Sequence, residues 1–330
     1  MPGPGFGASL SAPLSSFYFE PSTPVDPKPL DEWGSIAVEL LGTQTRIVQG
    51  PRWHHRVIEY GEGDPLVLIH GIGGVAETFA RNMRNLGQHF HVYAIDALYH
   101  GYSSREPWHG TEHHDRQVDG LVDLLDGLGH DWAHVEGESM GAQLAFELGI
   151  RYPERAGKLI LNTGGQWRVK HPDFLYDPDD VDDDLNRLSV QAITQPTEEN
   201  IRPRMEWLVS DPARMTDEMI TMRTKLYQDP GVNESMRKVL GVERGPEGYG
   251  YPQVWDEAAL AAYTPETLVF WTEHNPSEPP ELGEQFARMI PGARFYVLED
   301  AGHWPQWEKP EEHDRVIIDF ITGAGGSASA

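Results

Sequence analysis

A serine flanked by glycines is the first feature of the sequence that could do chemistry. It lies in the pentapeptide Gly137-Glu138-Ser139-Met140-Gly141. A short, partly apolar run precedes the pentapeptide, and apolar residues at helical spacing follow it. A strand, a sharp turn and a helix would therefore meet at Ser139, as they do at a nucleophile elbow that lifts a serine hydroxyl clear of a sheet. The alternative is a glycine-rich strand–helix turn with a surface serine.

Two backbone segments could bind the oxyanion that forms when such a serine attacks a carbonyl group. The amide of Met140 would lie at the start of the predicted helix and point towards that oxyanion. The run His70-Gly71-Ile72-Gly73-Gly74 follows an apolar strand-like segment and lacks the Lys-Ser/Thr of a phosphate-binding loop. We expect the amide of Ile72 or Gly73 to complete the oxyanion hole, and we interpret His70 as a structural hydrogen-bonding residue.

His303 is the general base that we expect for Ser139. The chain contains 15 histidines, so the residue type alone decides little. His303, however, follows the last strand-like run, which is where the order serine, acid, histidine places the base. The neighbouring Gly302 is expected to let this loop bend close to the sheet.

Strand-like and helical segments alternate around these residues, which predicts a mostly parallel, doubly wound sheet with right-handed crossovers. One helix is expected over residues 76–86. Between residues 166 and 263 the strand-like runs are replaced by helical stretches, which predicts a helical lid inserted after the sixth strand. The predicted organisation is a flexible N-terminal arm (1–30), a core (31–165 and 264–322), the lid (166–263) and a flexible tail (323–330).

The composition limits the classes of function. A hydrophobic content of 39% and a charged content of 24% over 330 residues are typical of a globular protein. The absence of cysteine excludes disulfides and thiolate chemistry, and the formal charge of −26 argues against nucleic acid and anionic membranes as partners. Without a membrane-spanning run or a signal peptide, a cytoplasmic location is expected. We expect no metal and no other cofactor, because the histidine pairs 54–55 and 113–114 lack ligand spacing.

Five motifs in order resemble the α/β-hydrolase superfamily. They are HGIGG, AIDALYHGYS, GESMG, YPER and AGHWPQWE. Within that superfamily the chain resembles the meta-cleavage product hydrolases, over about residues 40 to 322. The resemblance implies an α/β-hydrolase fold and cleavage of a carbon–carbon bond in a vinylogous 1,5-diketone from aromatic ring fission.

The resemblance also implies residues that bind substrate. Arg223, in the predicted lid, matches the family's lid arginine, which binds the dienol-keto oxygens or the carboxylate of the substrate. Trp304, directly after the expected base, matches a tryptophan that packs against the substrate, and Gly71 and Glu138 are expected to line the same site. In a chain this acidic, Arg223 would supply the cationic anchor for a carboxylate. The alternative is that Arg223 pairs with one of the many acids.

Three residues depart from the family pattern. Tyr99 stands where glycine is usual, which would alter the wall of the pocket. Glu138 stands before the nucleophile, where asparagine is frequent. Counting back from His303 places Asn275 where the triad acid is expected to be aspartate. Asn275 could orient His303, Glu273 could substitute as the acid, or the protein could be a weakened or non-catalytic homologue; an amide can accept the imidazole N–H but offers no charge.

The sequence therefore predicts a serine-dependent hydrolase, with cleavage of a 2-hydroxy-6-oxo-dienoate-type product as the expected reaction. One alternative is a carboxylester or lactone hydrolase on the same machinery, and another is a catalytically weakened ligand-binding homologue. Dehalogenases and epoxide hydrolases are excluded because their elbow carries aspartate. The expected partner is a small molecule with a carboxylate or enolate end, and the sequence is compatible with a homo-oligomer.

Overall fold

The computed structural model describes residues 16–23, 28–29, 32–109, 112–170, 174, 183–242, 254–276 and 278–327. Ten strands form within these residues. They are β1 (Phe19–Glu20), β2 (Gln44–Gln49), β3 (His54–Tyr60), β4 (Pro65–Ile69), β5 (His91–Ile95), β6 (Ala133–Glu138), β7 (Ala156–Asn162), β8 (Thr267–Thr272), β9 (Arg294–Leu298) and β10 (Gly326–Ser327).

The main sheet has the strand order β2-β3-β5-β4-β6-β7-β8-β9. The pairs β2–β3 and β3–β5 are antiparallel, and the other neighbours are parallel. The predicted mostly parallel, doubly wound sheet is thus confirmed. The chain adds β5 on one side of β4 and β6 on the other, so the strand order reverses there. In open parallel sheets such a reversal leaves a crevice at the carboxyl ends of the strands, where ligands bind.

Twelve helices flank or follow these strands in the described residues. They are α1 (Ile36–Glu39), α2 (Met83–Leu86), α3 (Glu112–Leu128), α4 (Met140–Arg151), α5 (Asp183–Thr194), α6 (Glu198–Glu206), α7 (Asp217–Gln228), α8 (Pro230–Val239), α9 (Glu257–Ala261), α10 (Pro280–Met289), α11 (Pro305–Glu308) and α12 (Pro310–Thr322). Helices α5 to α9 lie between β7 and β8, where the sequence predicts a helical insertion.

The apolar sequence of β4 explains why the sheet is covered on both faces. Val67 and Ile69 pack into a cluster with residues of α3, α4 and α10, whereas Leu66 and Leu68 pack into a second cluster with residues of α2 and α12. All four side chains are buried. Burial of one such side chain stabilises the fold by about 1.5–3 kcal/mol. A third cluster joins α5 to α8 to the segment that carries Trp304 and Trp307.

The helix predicted over residues 76–86 is interrupted. A 3₁₀ turn covers Ala76–Phe79, and α2 begins only at Met83. The residues between them are held by tertiary contacts: the side chains of Arg81 and Asn82 donate to the carbonyl groups of Trp307 and Gln306. These bonds fix the segment in a shape that periodicity alone does not reveal.

Two segments near the limits of the described residues, Phe19–Glu20 and Gly326–Ser327, meet beside the main sheet. Strand β1 pairs with β10, Tyr18 forms a parallel bridge with Phe295, and the buried Phe19 ring contacts Phe320. These contacts place Phe19, within the predicted arm, on the body of the protein. The remainder of the predicted arm and tail, residues 1–15, 24–27, 30 and 328–330, lies outside the described residues, as does much of 171–182 and 243–253 in the predicted lid.

Candidate active site

Ser139 occupies a strained corner between β6 and α4. Its φ and ψ are 56° and −115°, and it is the N-cap residue of α4. The flanking glycines are required by space: a Cβ on Gly137 would lie 2.0 Å from the backbone of Gly141, and one on Gly141 would lie 2.2 Å from the carbonyl oxygen of Ile69. The glycines let the strand, the turn and the helix pack at this distance. The corner has the geometry expected of a nucleophile elbow.

His303 lies in the loop after β9 and is buried. Its Nδ1 is 2.7 Å from Oδ1 of Asn275, and its backbone carbonyl accepts a hydrogen bond from the hydroxyl of Thr163. Burial lowers the pKa of His303 to about 3, and the positive charge of Arg204 acts in the same direction. The imidazole is therefore neutral at neutral pH. With Nδ1–H donating to Asn275, the lone pair is on Nε2.

The structure brings Asn275, and not Glu273, to the imidazole. Asn275 follows β8 and is buried, whereas the Glu273 side chain is half exposed. Oε2 of Glu273 accepts a hydrogen bond from the amide of Asp300 and lies 3.7 Å from His274. Of the two candidates for the third position, the geometry therefore favours the amide.

Glu138 is the side chain that Nε2 of His303 faces. Its Oε1 lies 3.3 Å from Nε2, and its Oε2 accepts a hydrogen bond of 2.6 Å from the amide of Gly71. Burial raises the pKa of Glu138 to about 8, although the Gly71 amide and the charges of Arg204 and Arg223 oppose this rise. At neutral pH the carboxyl group is therefore protonated. Its contact with the neutral His303 is not an ion pair.

No hydrogen bond joins the Ser139 hydroxyl to His303 in the part of the chain that the structure describes. Both residues lie at the same end of the sheet, because the Ser139 amide donates to the carbonyl of Asn162 and the His303 carbonyl accepts from the next residue, Thr163. Catalytic hydrogen bonds in unliganded enzymes are often long, and they tighten only when substrate is bound.

The loop after β4 lies beside the elbow because Ile69 and Gly137 are register partners. The Gly71 amide is already bonded to Glu138, so it does not act as a free donor. The amides of Ile72 and Gly73 stay the candidates for the oxyanion hole, together with Met140, the first residue of α4.

His70 forms two hydrogen bonds within the sheet end. Its Nδ1 contacts the carbonyl of Gly71, and its Nε2 accepts from the amide of Ala97. Burial holds the pKa of His70 well below its usual range. The interpretation of His70 as a structural residue is therefore confirmed.

Arg223 lies on α7, above the glycine-rich loop. Its Nη1 is 3.5 Å from the hydroxyl of Tyr227, which in turn contacts the carbonyl of Gly73 at 3.4 Å. Gly73 has φ of 74°, and a Cβ there would lie 2.2 Å from the Tyr227 hydroxyl. Arg223 is 4% exposed, and its Nε and Nη2 have no acceptor among the described residues. Buried donors of this kind need an acceptor, which a ligand or an ordered water can supply.

The loop that carries His303 is attached to the segment after α6. The amide of Trp304 donates to the carbonyl of Leu208, and a Cβ on Gly302 would lie 2.5 Å from the amide of Ser210. Gly302 therefore permits a close approach to the inserted helices. The loop also lies against the end of the sheet, since the carbonyl of Ala301 accepts from the amide of His274. The Glu308 carboxylate bridges the two segments by accepting from the amides of Gly302 and Ser210.

Two residues of the site were not singled out from the sequence. The ring of Trp207, at the end of α6, lies 5.5 Å from the imidazole of His303. The guanidinium of Arg204 lies over that tryptophan ring at 5.3 Å and donates to the Ser189 hydroxyl. The charge of Arg204 lowers the pKa of both Glu138 and His303, which places it within electrostatic reach of the base. Its position in an acid-rich helical stretch gave no signal of this.

A family model described as alpha/beta hydrolase fold matches residues 64–310 of the chain. This chain belongs to the α/β-hydrolase family. The matched residues of this α/β-hydrolase include the elbow, the glycine-rich loop, the inserted helices and His303.

Characterised relatives extend over most of the α/β-hydrolase. A 2-hydroxy-6-oxo-6-phenylhexa-2,4-dienoate hydrolase from Comamonas testosteroni is 30% identical over 276 residues, which cover 80% of this chain and 89% of the relative. A 2-hydroxy-6-oxononadienedioate/2-hydroxy-6-oxononatrienedioate hydrolase from Pseudomonas putida is 28% identical over 271 residues, covering 80% of this chain and 90% of the relative. The resemblance to hydrolases of this kind, found from the motifs, is confirmed.

Solved structures share the fold. A meta-cleavage product hydrolase from Pseudomonas fluorescens aligns with a TM-score of 0.71 at 23% identity, over 84% of this chain and 98% of that one. A carboxylesterase from Bacillus subtilis aligns with a TM-score of 0.69 at 18% identity, over 87% and 96% of the two chains. Since enzymes that differ in substrate align about equally well, the fold alone does not select the substrate.

The described residues contain no group of three histidine, aspartate or glutamate side chains arranged to hold a metal ion. Among the helices that the structure describes, none has both the length and the apolar character needed to span a membrane.

Proposed function

We propose that this α/β-hydrolase cleaves a carbon–carbon bond in a 2-hydroxy-6-oxo-dienoate-type ring-fission product, with Ser139 as nucleophile and His303 as base. The observation that supports this substrate class best is the buried guanidinium of Arg223, whose Nε and Nη2 lack acceptors among the described residues. A substrate carboxylate or enolate beside the glycine-rich loop would satisfy these donors and pair with the charge. The relatives named as hydrolases of such dienoates support the same class.

The proposed reaction assigns one task to each part of the site. Arg223 binds the anionic end of the substrate, and Trp304 packs against the substrate. His303 first moves a proton during ketonisation of the dienol and then accepts the proton of the attacking hydroxyl. The amides of Met140 and of Ile72 or Gly73 stabilise the oxyanion on the carbonyl under attack.

The helices between β7 and β8 are proposed to act as a lid. Arg223 on α7 and Trp207 at the end of α6 both reach the elbow side of the sheet, the former beside Gly73 and the latter beside His303. Side chains from an insertion that cover a catalytic corner exclude water and shape the pocket. That the enzyme acts in the cytoplasm and needs no cofactor stays a prediction.

A carboxylester or lactone hydrolase is the main alternative, because a serine, an imidazole and an oxyanion hole suit an ester as well. Such an enzyme has no need of a buried cation above the oxyanion loop. A ligand-binding homologue without catalysis is the second alternative, since Asn275 gives the imidazole no negative charge.

The experiment that separates these functions is a screen of the purified protein against 2-hydroxy-6-oxo-dienoates, aryl esters and lactones. The proposal predicts that a dienoate with a free carboxylate has the highest kcat/KM and yields a 2-hydroxydienoate and a carboxylic acid. Equal or better turnover of neutral esters would favour the esterase. Absence of turnover, with no reaction of Ser139 with a fluorophosphonate, would favour the binding protein.

A further inference from the structure

Nε2 of His303 is the atom that must accept the Ser139 proton, and the carboxyl group of Glu138 is the group that faces it. Oε1 of Glu138 lies 3.3 Å from Nε2, is buried, and has no hydrogen-bond partner among the described residues, the imidazole included. The second oxygen of the carboxyl group is fixed by the Gly71 amide at 2.6 Å. The carboxyl group is therefore held in one orientation, with one oxygen directed at the base.

The close approach of Glu138 to His303 limits the protonation states of the two side chains. The Asn275 oxygen can only accept, so at 2.7 Å it takes the Nδ1–H of His303 and leaves a lone pair on Nε2. An ionised Glu138 would direct a second lone pair at that nitrogen. A buried carboxylate oxygen that accepts no hydrogen bond and lies 3.3 Å from a nitrogen lone pair is unfavourable, so the uncharged carboxylic acid is the favoured form of Glu138 in this arrangement.

We infer that Glu138 is a second acid of the catalytic machinery: as a carboxylic acid it blocks Nε2 of His303, and as a carboxylate it frees Nε2 and supplies the negative charge that Asn275 lacks. This inference rests on the proposed function, because it concerns how Ser139 is activated.

When Glu138 is ionised, one proton passes from Ser139 to His303 and from there to the product. The O–H bond of Ser139 breaks and an N–H bond forms at Nε2 of His303, while the serine oxygen bonds to the substrate carbonyl carbon. The resulting imidazolium is then paired with the carboxylate of Glu138, which keeps its charge. The imidazolium gives the same proton to the departing carbon group. Water then attacks the acyl group, passing a proton through Nε2 to Ser139, so the site returns to its starting state.

Charged groups from every side set the pH at which Glu138 ionises. Burial raises its pKa to about 8 and Glu136 on the same strand acts in the same direction, whereas the Gly71 amide and two arginines oppose them. Those arginines are Arg204 on α6 and Arg223 on α7. The group that blocks Nε2 is lost as the pH rises, so the reactivity of Ser139 should increase through about pH 8. An unperturbed histidine would give an increase near pH 6.5.

The test measures the rate of Ser139 labelling by a fluorophosphonate between pH 6 and pH 10, because this rate does not depend on the natural substrate. E138Q keeps an oxygen acceptor for the Gly71 amide but cannot ionise. The wild-type rate should rise with a midpoint near pH 8, and E138Q should lose that step and react at least ~10-fold more slowly at high pH. E138N is a second variant without the charge, for use if E138Q does not fold.

E278Q is the matched control. Glu278 is also buried, and burial raises its pKa to about 7, but its Oε1 accepts from the Trp167 indole, and no hydrogen bond or ion pair joins it to His303 among the described residues. E278Q should keep the wild-type pH profile. A step near pH 8 that persists in E138Q and E138N would overturn the inference while leaving Ser139 as the nucleophile. Absence of labelling in the wild type at every pH would overturn the serine chemistry itself.

The variant Asn275→Asp provides a second test, because a purely structural role of Glu138 predicts the same effect of E138Q with and without it. With a carboxylate at Nδ1, the charge of Glu138 is dispensable, so E138Q in the N275D background should cost less than ~3-fold at high pH. An equal cost of E138Q in both backgrounds would show that Glu138 acts only on the structure of the loop, and would contradict the inference.

Discussion

Nδ1 of His303 lies 2.7 Å from Oδ1 of Asn275, so an amide occupies the place that an acid has in the familiar serine triad. The amide fixes the ring orientation and the tautomer, which leaves Nε2 as the basic nitrogen. It does not offset the charge of an imidazolium. The site therefore separates two tasks that one aspartate usually performs.

Removing the acceptor at residue 275 should impair activity through the tautomer alone. Asn275→Leu has a similar volume but cannot accept the Nδ1–H, so kcat is expected to fall by ~10²–10⁴ with little change in KM. Steady-state kinetics on a dienoate and on an aryl ester check this. Asn275→Asp is the matched control and should keep activity, since it accepts the same hydrogen bond. Full activity of the leucine variant would show that the amide does not orient the base.

We expect Arg223 to lower the stability of the folded protein and to strengthen the binding of substrate. Replacing it by methionine removes buried donors that lack acceptors, so the free energy of unfolding in urea is expected to rise by about 1–3 kcal/mol. The same change should raise KM by ~10–100-fold for a substrate with a free carboxylate, and much less for its methyl ester.

Arg168 is the control for this pair of effects. It is also buried, but its Nη1 pairs with Glu147 at 3.2 Å. Arg168→Met should therefore lower the free energy of unfolding by about 3–5 kcal/mol, because it leaves Glu147 without part of its compensation. If Arg223→Met destabilised the protein as much as Arg168→Met, Arg223 would have to be a structural residue.

Substitution of a glycine at the elbow measures how tightly the backbone around Ser139 is packed. Alanine in place of Gly141 should favour helix α4 by propensity, yet its Cβ would lie 2.2 Å from the Ile69 carbonyl. We expect the steric clash to outweigh the gain in helix propensity, so that Gly141→Ala lowers the free energy of unfolding by about 3 kcal/mol. Gly129 has φ of 80° with nothing within 4 Å, so Gly129→Ala isolates backbone strain and should cost only ~1 kcal/mol. Similar losses for both variants would contradict the packing argument.

Much of the fold was predictable because its signals are local. The apolar run of β4 and the glycines around Ser139 each constrain their own neighbourhood, and the observed burial and φ agree with them. Asn275 could be found because it lies only 28 residues before His303 along the chain. The interruption between Phe79 and Met83 was not predictable, since it depends on hydrogen bonds to residues far along the chain.

The electrostatics of the site were the least predictable part. The sequence shows that Glu138 is next to the serine, but its contact with His303 arises only when the loop after β9 closes over the elbow. Likewise, Arg204 affects the pKa of both residues across a tertiary contact. Such effects depend on burial and distance, which no spacing along the chain encodes.

The proposed reaction depends most directly on Ser139 as the nucleophile. Turnover of a 2-hydroxy-6-oxo-dienoate by the wild type and by Ser139→Ala should be compared, with the 2-hydroxydienoate and carboxylic acid products quantified and substrate binding measured separately. We predict that the alanine variant folds, binds the dienoate and loses at least ~10³ in kcat. Carbon–carbon cleavage at near wild-type rate by the alanine variant would contradict the role of Ser139 as the nucleophile.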